Sequence, residues 1–390
     1  MSLKDDRVTI KVGGTTVHVL EKYHVVNGVV EQPAQFGATL GTKAGMLPAL
    51  KKAFAPGSKF ELAINGVTQF RGRIDGFVSR SSDSGASIEF NGADGMADLL
   101  RATIMSEQSF DNITFLDLNK KCLNLVHPEG FQLAHDNEAN RKAITNAPAQ
   151  GSPPPDTTKN VDDQLTGADG IQPTTQQKTL QMKIGEKLWS FLKKENDQGC
   201  LFLYQSVDGP YILTTPNTTQ PPLFAIKREV GGLPSRVISC EHTNQTAERY
   251  SAMFTHYRNG GGSQGRTQNF GKYVDKEMLQ YGFNRPHAKK HDKCKSIAQA
   301  EHFAERFIAE TRRKGFKLVY TVSGHTWPTL YGGIGVLAPD TVVDVDDEVE
   351  GLKDKFYLES VEHRSDPQAI TVLHLMRLAD AALLGGSSED

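Results

Sequence analysis

The sequence has 390 residues, of which 38% are hydrophobic and 23% charged, and its 44 basic and 46 acidic side chains leave a formal net charge of −2. This composition excludes wholesale disorder and is typical of a soluble globular chain of two to four domains, and the balance of charge gives no global attraction for nucleic acid or an anionic membrane. The chain shows no apolar run near eighteen residues and no apolar segment at its start, so we expect neither a membrane span nor a signal peptide, and maturation in the cytoplasm.

The four cysteines are spread along the chain without a C-x-x-C pair, at Cys122, Cys200, Cys240 and Cys294. Cys200 and Cys240 fall in strand-like runs, where a thiol behaves as a small apolar group. We therefore expect no disulfide framework.

The first predicted elements are two β-hairpins. Alternating polar and apolar residues flank a Gly-Gly turn in 8–20, and residues 56–77, PGSKFELAINGVTQFRGRIDGF, read as strand, Asn-Gly turn and strand. A regular ladder around that Asn-Gly turn would put Leu62 and Phe70 on opposite faces of the sheet. One residue must be absorbed, which predicts a β-bulge in 67–72 and a sheet that curls toward a barrel.

The sequence that follows the second hairpin predicts one more strand, three helices, a proline-rich segment and a third hairpin. ASIEFNG is a strand with Ile88 and Phe90 on one face, and residues 146–178, with five prolines and few large apolar side chains, are expected to form a mobile excursion. A hairpin turns at Asp208-Gly209. The helical stripes are Met96, Leu99, Leu100 and Ile104; Leu116, Cys122, Leu123 and Val126; and Ile184, Leu188, Trp189 and Leu192.

The second half repeats this organisation of curled sheet and helical insertion. PSRVISCEHT and AERYSAMFTHY are strand-like, and the Gly-rich NGGGSQG of 259–265 follows them. A long helix begins with a capping box of Ser296 and Gln299 and ends at Gly315. Its apolar stripe is Ile297, Ala300, Ala304, Phe307 and Ile308, and four strands follow it: FKLVYTVSG, TVVDVDDEV, KFYLESVEHR and AITVLHLMRL.

One stretch could in principle bind a metal ion. HAKKHDKC places His287, His291 and Cys294 at a spacing that would bring three donors together on a helix. No fourth ligand is evident, and the neighbouring lysines disfavour a cation. A solvated basic loop is the favoured interpretation, and we predict no metal site.

An acidic run includes Asp340, Asp344, Asp346, Asp347, Glu348 and Glu350. It lacks the glycine and the terminal glutamate of a calcium-binding EF-hand loop, which favours a solvent-facing strand connection. Whether this loop meets the basic loop 285–295 of another subunit stays open. The sequence has no nucleophile elbow, zinc-protease motif or phosphate-binding loop, and Trp189 and Trp327 are predicted to be packing or turn residues rather than platforms for sugars. We predict no catalytic residues and no cofactor.

Several blocks taken in order resemble a known family. They are PGSKFELAINGVTQFRGRIDGF, IEFNGADGMADLLRATI, AERYSAMFTHYRNGGG, SIAQAEHFAERFIAETRRKGFKLVYTVSGHTW and FYLESVEHRSDPQAITVLHLMRL. Their order and spacing, from about Val8 to Leu378, are similar to those of baseplate hub proteins of contractile phage tails, specifically the Mu-like gpP tail protein family. The T-even hub and the N-terminal part of type VI secretion spike proteins share this likeness.

The resemblance implies an α+β, mainly β fold: two antiparallel tube-like β-barrels related by pseudo-symmetry, with two α/β insertion domains. The expected boundaries are a first barrel at 1–93, an α/β domain at 94–220, a second barrel at 221–258 and 316–380, a helical or α/β insertion at 259–315 and a tail at 381–390. The proline-rich 146–178 departs from the compact family pattern.

The resemblance also implies a structural, non-enzymatic homotrimer in the virion tail baseplate, assembled in the host cytoplasm. Its pseudo-sixfold ring would join the hexameric tail tube to the trimeric central spike, contact other baseplate proteins, and pass DNA or the tape-measure protein without sequence-specific binding or membrane insertion. Two alternatives stay open. One is the base of a type VI or other contractile-injection spike, and the other is a tail-associated cell-wall hydrolase using His287 and His291.

Overall fold

The computed structural model describes residues 6–18, 20–30, 33–83, 85–134, 179–199, 201–232, 235–257, 269–291, 294, 296–365 and 368–385. Strands dominate this part of the chain, and thirteen of them join one sheet, so the predicted α+β, mainly β class is confirmed. The predictions for 146–178 and 259–265 fall outside the described residues. No helix in the described part is long and apolar enough to cross a membrane.

The strands are β1 (Val8–Val12), β2 (Thr15–Val17), β3 (Lys22–Gly28), β4 (Gln35–Thr42), β5 (Lys59–Ile64), β6 (Val67–Ser82), β7 (Gly85–Ala93), β8 (Gln108–Asp111), β9 (Leu133–Ala134), β10 (Thr179–Met182), β11 (Phe202–Gln205), β12 (Tyr211–Thr214), β13 (Phe224–Arg228), β14 (Val237–Asn244), β15 (Ala252–Tyr257), β16 (Asn269–Val274), β17 (Pro286–Lys290), β18 (Phe316–Ser323), β19 (Thr326–Pro328), β20 (Ile334–Val336), β21 (Thr341–Asp347), β22 (Leu352–Ser365) and β23 (Ala369–Arg377). The α-helices are α1 (Leu47–Ala53), α2 (Met96–Arg101), α3 (Phe115–Val126), α4 (Leu188–Gln198), α5 (Lys276–Gln280), α6 (Ile297–Gly315) and α7 (Leu378–Leu384).

The hairpin of β5 and β6 contains the predicted bulge. Asn65 and Gly66 have φ of 51° and 85°, the left-handed conformations that a tight Asn-Gly turn requires. Leu62 pairs with Phe70 while Ala63 pairs with Thr68, so Gln69 is the extra residue. The bulge keeps the apolar residues of both strands on one face, where they join a core with α1.

The five-strand order β3-β4-β7-β6-β5 of the first half recurs in the second half as β14-β18-β23-β22-β21. Both long central strands are bulged at the equivalent place, at Asp75 in β6 against β7 and at Glu359 in β22 against β23. Aligning these bulges makes Phe77 equivalent to Val361. Residues that pair with one another across four adjacent strands therefore correspond between the two units. In the first unit they are Tyr23, Ala38, Phe90 and Phe77, and in the second Cys240, Tyr320, Leu373 and Val361.

The two five-strand units also differ in two respects. The strand beyond β5 is the antiparallel β1, whereas the strand beyond β21 is the parallel β13. The connection from β4 to β5 contains α1, whereas the connection from β18 to β21 contains the hairpin of β19 and β20. That hairpin buries Trp327, whose Nε1 donates to the carbonyl of Ala225 at 2.8 Å, which confirms the packing role predicted for this tryptophan.

The two units are joined side by side within the chain. Strand β22 pairs antiparallel with β3 in six residue pairs, from Ser360 opposite Gly28 to Ser365 opposite Tyr23. Each unit keeps its own main apolar cluster, one on β4, β6 and β7 and the other on β18, β22 and β23. The two units therefore have separate main cores and are connected by one continuous sheet.

An α/β region follows the first unit. Helices α2, α3 and α4 pack with β10 and the β11–β12 hairpin around one apolar cluster, and the predicted turn at Asp208-Gly209 is confirmed. The prediction for Ile184 is wrong, because this side chain is 64% exposed. The helix begins only at Leu188, since Gly185 has a φ of 81° and residues 179–182 pair with β8.

A second insertion packs α6 on a sheet of β16, β15 and β17. Ser296 caps α6 by accepting from the Gln299 amide at 3.2 Å, and the helix ends at Gly315 as predicted. Ile297 does not join the buried stripe, because it is 53% exposed in the first turn. Strand β15, which the sequence suggested as part of the second barrel, hydrogen-bonds with β16 and β17.

Candidate assembly site

The large sheet has one apolar face and one polar face at the junction of its two units. On β22, Val361 and His363 are fully buried, whereas Glu362 and Arg364 point to the opposite side. The same alternation on the neighbouring strands exposes a shallow depression of about 690 Å³. We call this surface the polar face; it includes Lys22, His24, Thr39, Val78, Glu89, Asn91, Glu362 and Arg364.

Charges on the polar side of the sheet have both signs and lie in contact. His24 lies 3.1 Å from Glu362, and its hydrogen bond lowers the pKa of that carboxyl group. Arg80 and Glu89 are 2.9 Å apart, and Lys317 and Glu241 on the second unit are 2.6 Å apart. Pairing of this kind leaves little local excess of either charge.

Among the open sheet edges in the described part of the chain, two correspond to the edges that β22 and β3 bring together within the chain. Strand β14 ends the strand order and pairs only with β18. Beyond its Asp75 bulge, β6 pairs with β7 on one side, while its other side has no strand partner because β5 pairs only with 67–73. In β22 the equivalent edge is the one that β3 occupies. Unpaired strand edges of this length are surfaces on which another strand can pair.

Buried polar groups hold the junction between the units. The Tyr23 hydroxyl donates to His325 Nε2 at 2.5 Å, and His325 Nδ1 donates to Thr371 Oγ1 at 2.9 Å, because that hydroxyl gives its proton to the Gly324 carbonyl. His363 Nδ1 also contacts Thr371 Oγ1, at 3.2 Å. Burial lowers the pKa of His325 to about 4 and that of His363 well below its usual value.

The prediction of a wholly solvent-facing acidic run is wrong at two positions. Asp340 is 3% exposed and accepts from the hydroxyls of Tyr204 and Tyr357, both at 2.7 Å. Asp347 is fully buried and binds Arg228, whose hydrogen bond helps to lower the pKa of Asp347 against the effect of burial. Donors from distant segments compensate the burial of these carboxylates, and no local pattern predicts them.

The residues of the possible metal stretch do not converge. The predicted basic loop is wrong for Pro286–Lys290, which form strand β17. His287 therefore lies in a strand, neither in a loop nor on a helix, and stacks on Phe307 with a ring-centroid distance of 5.2 Å, while His291 stacks on Phe303 at 3.9 Å. Cys294 is buried, which raises the pKa of its thiol to about 12. Within the described residues there is no group of three or more potential metal ligands.

Similar folds occur among solved tail proteins. The tail protein from Neisseria meningitidis MC58 has a TM-score of 0.71 and 18% identity, with 95% of this chain and 96% of that chain covered. The 43 kDa tail protein of prophage MuSo2 from Shewanella oneidensis has a TM-score of 0.70 and 17% identity, with 97% and 99% covered. For E. coli c3393, a component of the type VI secretion system with structural similarity to the T4 tail proteins gp27 and gp5, the values are 0.54 and 11%, with 94% and 76% covered.

No protein-family profile and no curated protein sequence matches the chain. The structural likeness nevertheless extends over almost the whole length of this chain and of the two tail proteins. The chain therefore has the fold of phage tail proteins, and the resemblance found in the sequence is confirmed at the level of the fold.

Proposed function

We propose that this chain, which has a phage-tail-protein fold, is a structural and non-enzymatic baseplate hub of a phage or prophage tail. Three copies form a pseudo-sixfold ring between the tail tube and the trimeric central spike, in contact with other baseplate proteins. The ring assembles in the host cytoplasm and leaves a channel for DNA or the tape-measure protein. The likeness to c3393 at a TM-score of 0.54 keeps the base of a type VI or other injection spike as the second candidate.

The observation that carries this proposal is the joint between β22 and β3. Because the five-strand unit occurs twice, its in-chain joint is a template for a second joint, between β6 of one copy and β14 of the next. Three chains then supply six units connected by six similar joints. A ring closed in this way satisfies the two open edges, as closed sheets do.

The template also predicts the register between copies. Within the chain, Glu362 pairs with Val26 and Arg364 pairs with His24. The equivalent pairs between copies are Val78 with Thr243 of the neighbouring copy, and Arg80 with Glu241 of the neighbouring copy. Arg80 and Glu241 are 66% and 59% exposed, and opposite charges facing each other across strands are favourable. The polar face would line the channel, where paired charges of both signs avoid a sustained attraction for the phosphates of DNA.

The register is testable by cross-linking. Paired Cβ atoms on adjacent strands lie about 5 Å apart, so Val78→Cys combined with Thr243→Cys is expected to give covalent trimers with a short bismaleimide. The single variants serve as controls for the native thiols. Native mass measurement of the unmodified protein is expected to show trimers. A monomeric mass would overturn the ring, whereas trimers without cross-linking would overturn only the register.

The hydrolase alternative predicts different chemistry. It depends on His287 and His291, which stack on different phenylalanines. Metal analysis of the purified protein is expected to give no stoichiometric zinc, and murein incubated with it is expected not to clear. Zinc at one equivalent together with clearing that is lost in His287→Ala would contradict a non-enzymatic role.

A further inference from the structure

A groove of about 590 Å³ lies on the second insertion, and neither β6 nor β14 lines it. It runs between α4, α6 and the edge strand β17. Phe303 and Phe307 on α6 and Met253 on β15 supply an apolar floor. This volume is typical of a site that binds a ligand or several side chains of a partner.

The rim of the groove is mainly basic. Lys194, Lys289 and Lys290 are exposed around it, Arg306 is buried in its wall, and its only acidic lining residues within the described chain are Asp197 and Glu310. Asp197 accepts from Arg306 at 2.7 Å and from Lys193 at 3.2 Å, so part of its charge is already compensated. The groove is therefore locally positive on a chain whose net charge is −2.

The shape of the groove favours an elongated ligand. Its α6 side is the stripe of Phe303, Arg306, Phe307 and Glu310, which extends over two helical turns, or about 10 Å. On the other side β17 is the last strand of its sheet, beside which an extended segment can lie. A segment of three or four residues would match this length.

We propose that this groove docks an extended acidic peptide segment of another tail protein. An aliphatic or aromatic side chain of the segment packs on Phe303 and Phe307, and carboxylates on either side of it contact the lysines of the rim. The aromatic rings supply the buried apolar contact, and the lysines select acidic over basic sequences. This docking is independent of ring closure, because neither β6 nor β14 contributes to the groove.

Fluorescence polarisation with two labelled peptides, DLEFLE and KLKFLK, tests the proposal on the full chain. The acidic peptide is expected to bind saturably and at least tenfold more tightly than the basic one. Its affinity should fall as salt rises from 50 to 500 mM, because exposed ion pairs are screened. Lys289→Glu combined with Lys290→Glu is expected to weaken binding at least tenfold.

Two control variants separate the groove from general charge effects. Lys272→Glu combined with Lys276→Glu makes the same change of charge at exposed positions of the same insertion outside the groove, and should leave binding unchanged. Phe307→Leu keeps an apolar floor but removes the ring, and should weaken binding by a smaller factor. Equal binding of both peptides, absence of saturation at millimolar peptide, or full binding by the Lys289/Lys290 variant would each overturn the proposal.

Discussion

At the scale of single residues, the neutral histidine in the joint between β3 and β22 depends on the direction of its hydrogen bonds. His325 donates through Nδ1 to Thr371 and accepts at Nε2 from Tyr23, so a second ring proton would oppose the Tyr23 hydroxyl. Because the pKa of His325 is about 4 in the fold and about 6.5 in an unfolded chain, the unfolded state binds more protons between these values. The contribution of His325 to stability is therefore present above about pH 6.5 and is lost as the pH falls towards 4.

We predict that the unfolding free energy of the His325→Gln variant falls less than that of the wild type as the pH drops from 6.5 to 4.5. Each unit of pKa difference corresponds to about 1.4 kcal/mol, and part of the shift is expressed outside this pH range, so His325 accounts for about 2 kcal/mol of the loss between pH 6.5 and 4.5. Urea denaturation at a series of pH values measures it. His18→Gln, at an exposed position, is the matched control and should keep the wild-type slope. Equal slopes for both variants would contradict the role of His325.

At the scale of elements, the bulge in β6 shapes the strand that carries the open edge. Gln69 lies outside the ladder, and its carbonyl accepts from Asn27 Nδ2 at 2.8 Å, which ties β6 to β3. Asn27 is 5% exposed, so its amide depends on this acceptor. A bulge increases the local twist and bends the strand. The register of β5 and β6 and the path of β6 toward a neighbour therefore depend on one extra residue.

Deleting Gln69 is expected to preserve the pairing of Leu62 with Phe70 but to straighten β6. The loss of the acceptor for Asn27 should lower the unfolding free energy by about 1–3 kcal/mol, and the straighter strand should reduce the trimer fraction in native mass spectra. Asn27→Ala removes the same hydrogen bond without removing the bend. It should lower stability and leave trimers intact, and wild-type assembly of the deletion variant would show that the bend is dispensable.

At the scale of the whole molecule, local patterns predicted the elements but not the long-range partnerships between them. The Asn65-Gly66 turn and the bulge follow from residues within one hairpin, and the fold confirms both. The joint of β3 and β22 links residues more than 330 positions apart, and the sequence of neither strand predicts which strand it pairs with. The same holds for Asp340 and Asp347, which are acidic in the sequence but buried by Tyr204 and Arg228 from distant segments.

The unequal connections within the two units have a consequence for any partner that sits on the ring. Where the first unit has α1 between β4 and β5, the second has the hairpin of β19 and β20, with Leu330 and Ile334 exposed at its end. Around the proposed ring the wall would repeat every 60°, whereas this apolar protrusion would recur only every 120°. A hexameric neighbour could engage the wall and a trimeric neighbour the protrusions, so one polypeptide would resolve the symmetry mismatch without a separate adaptor.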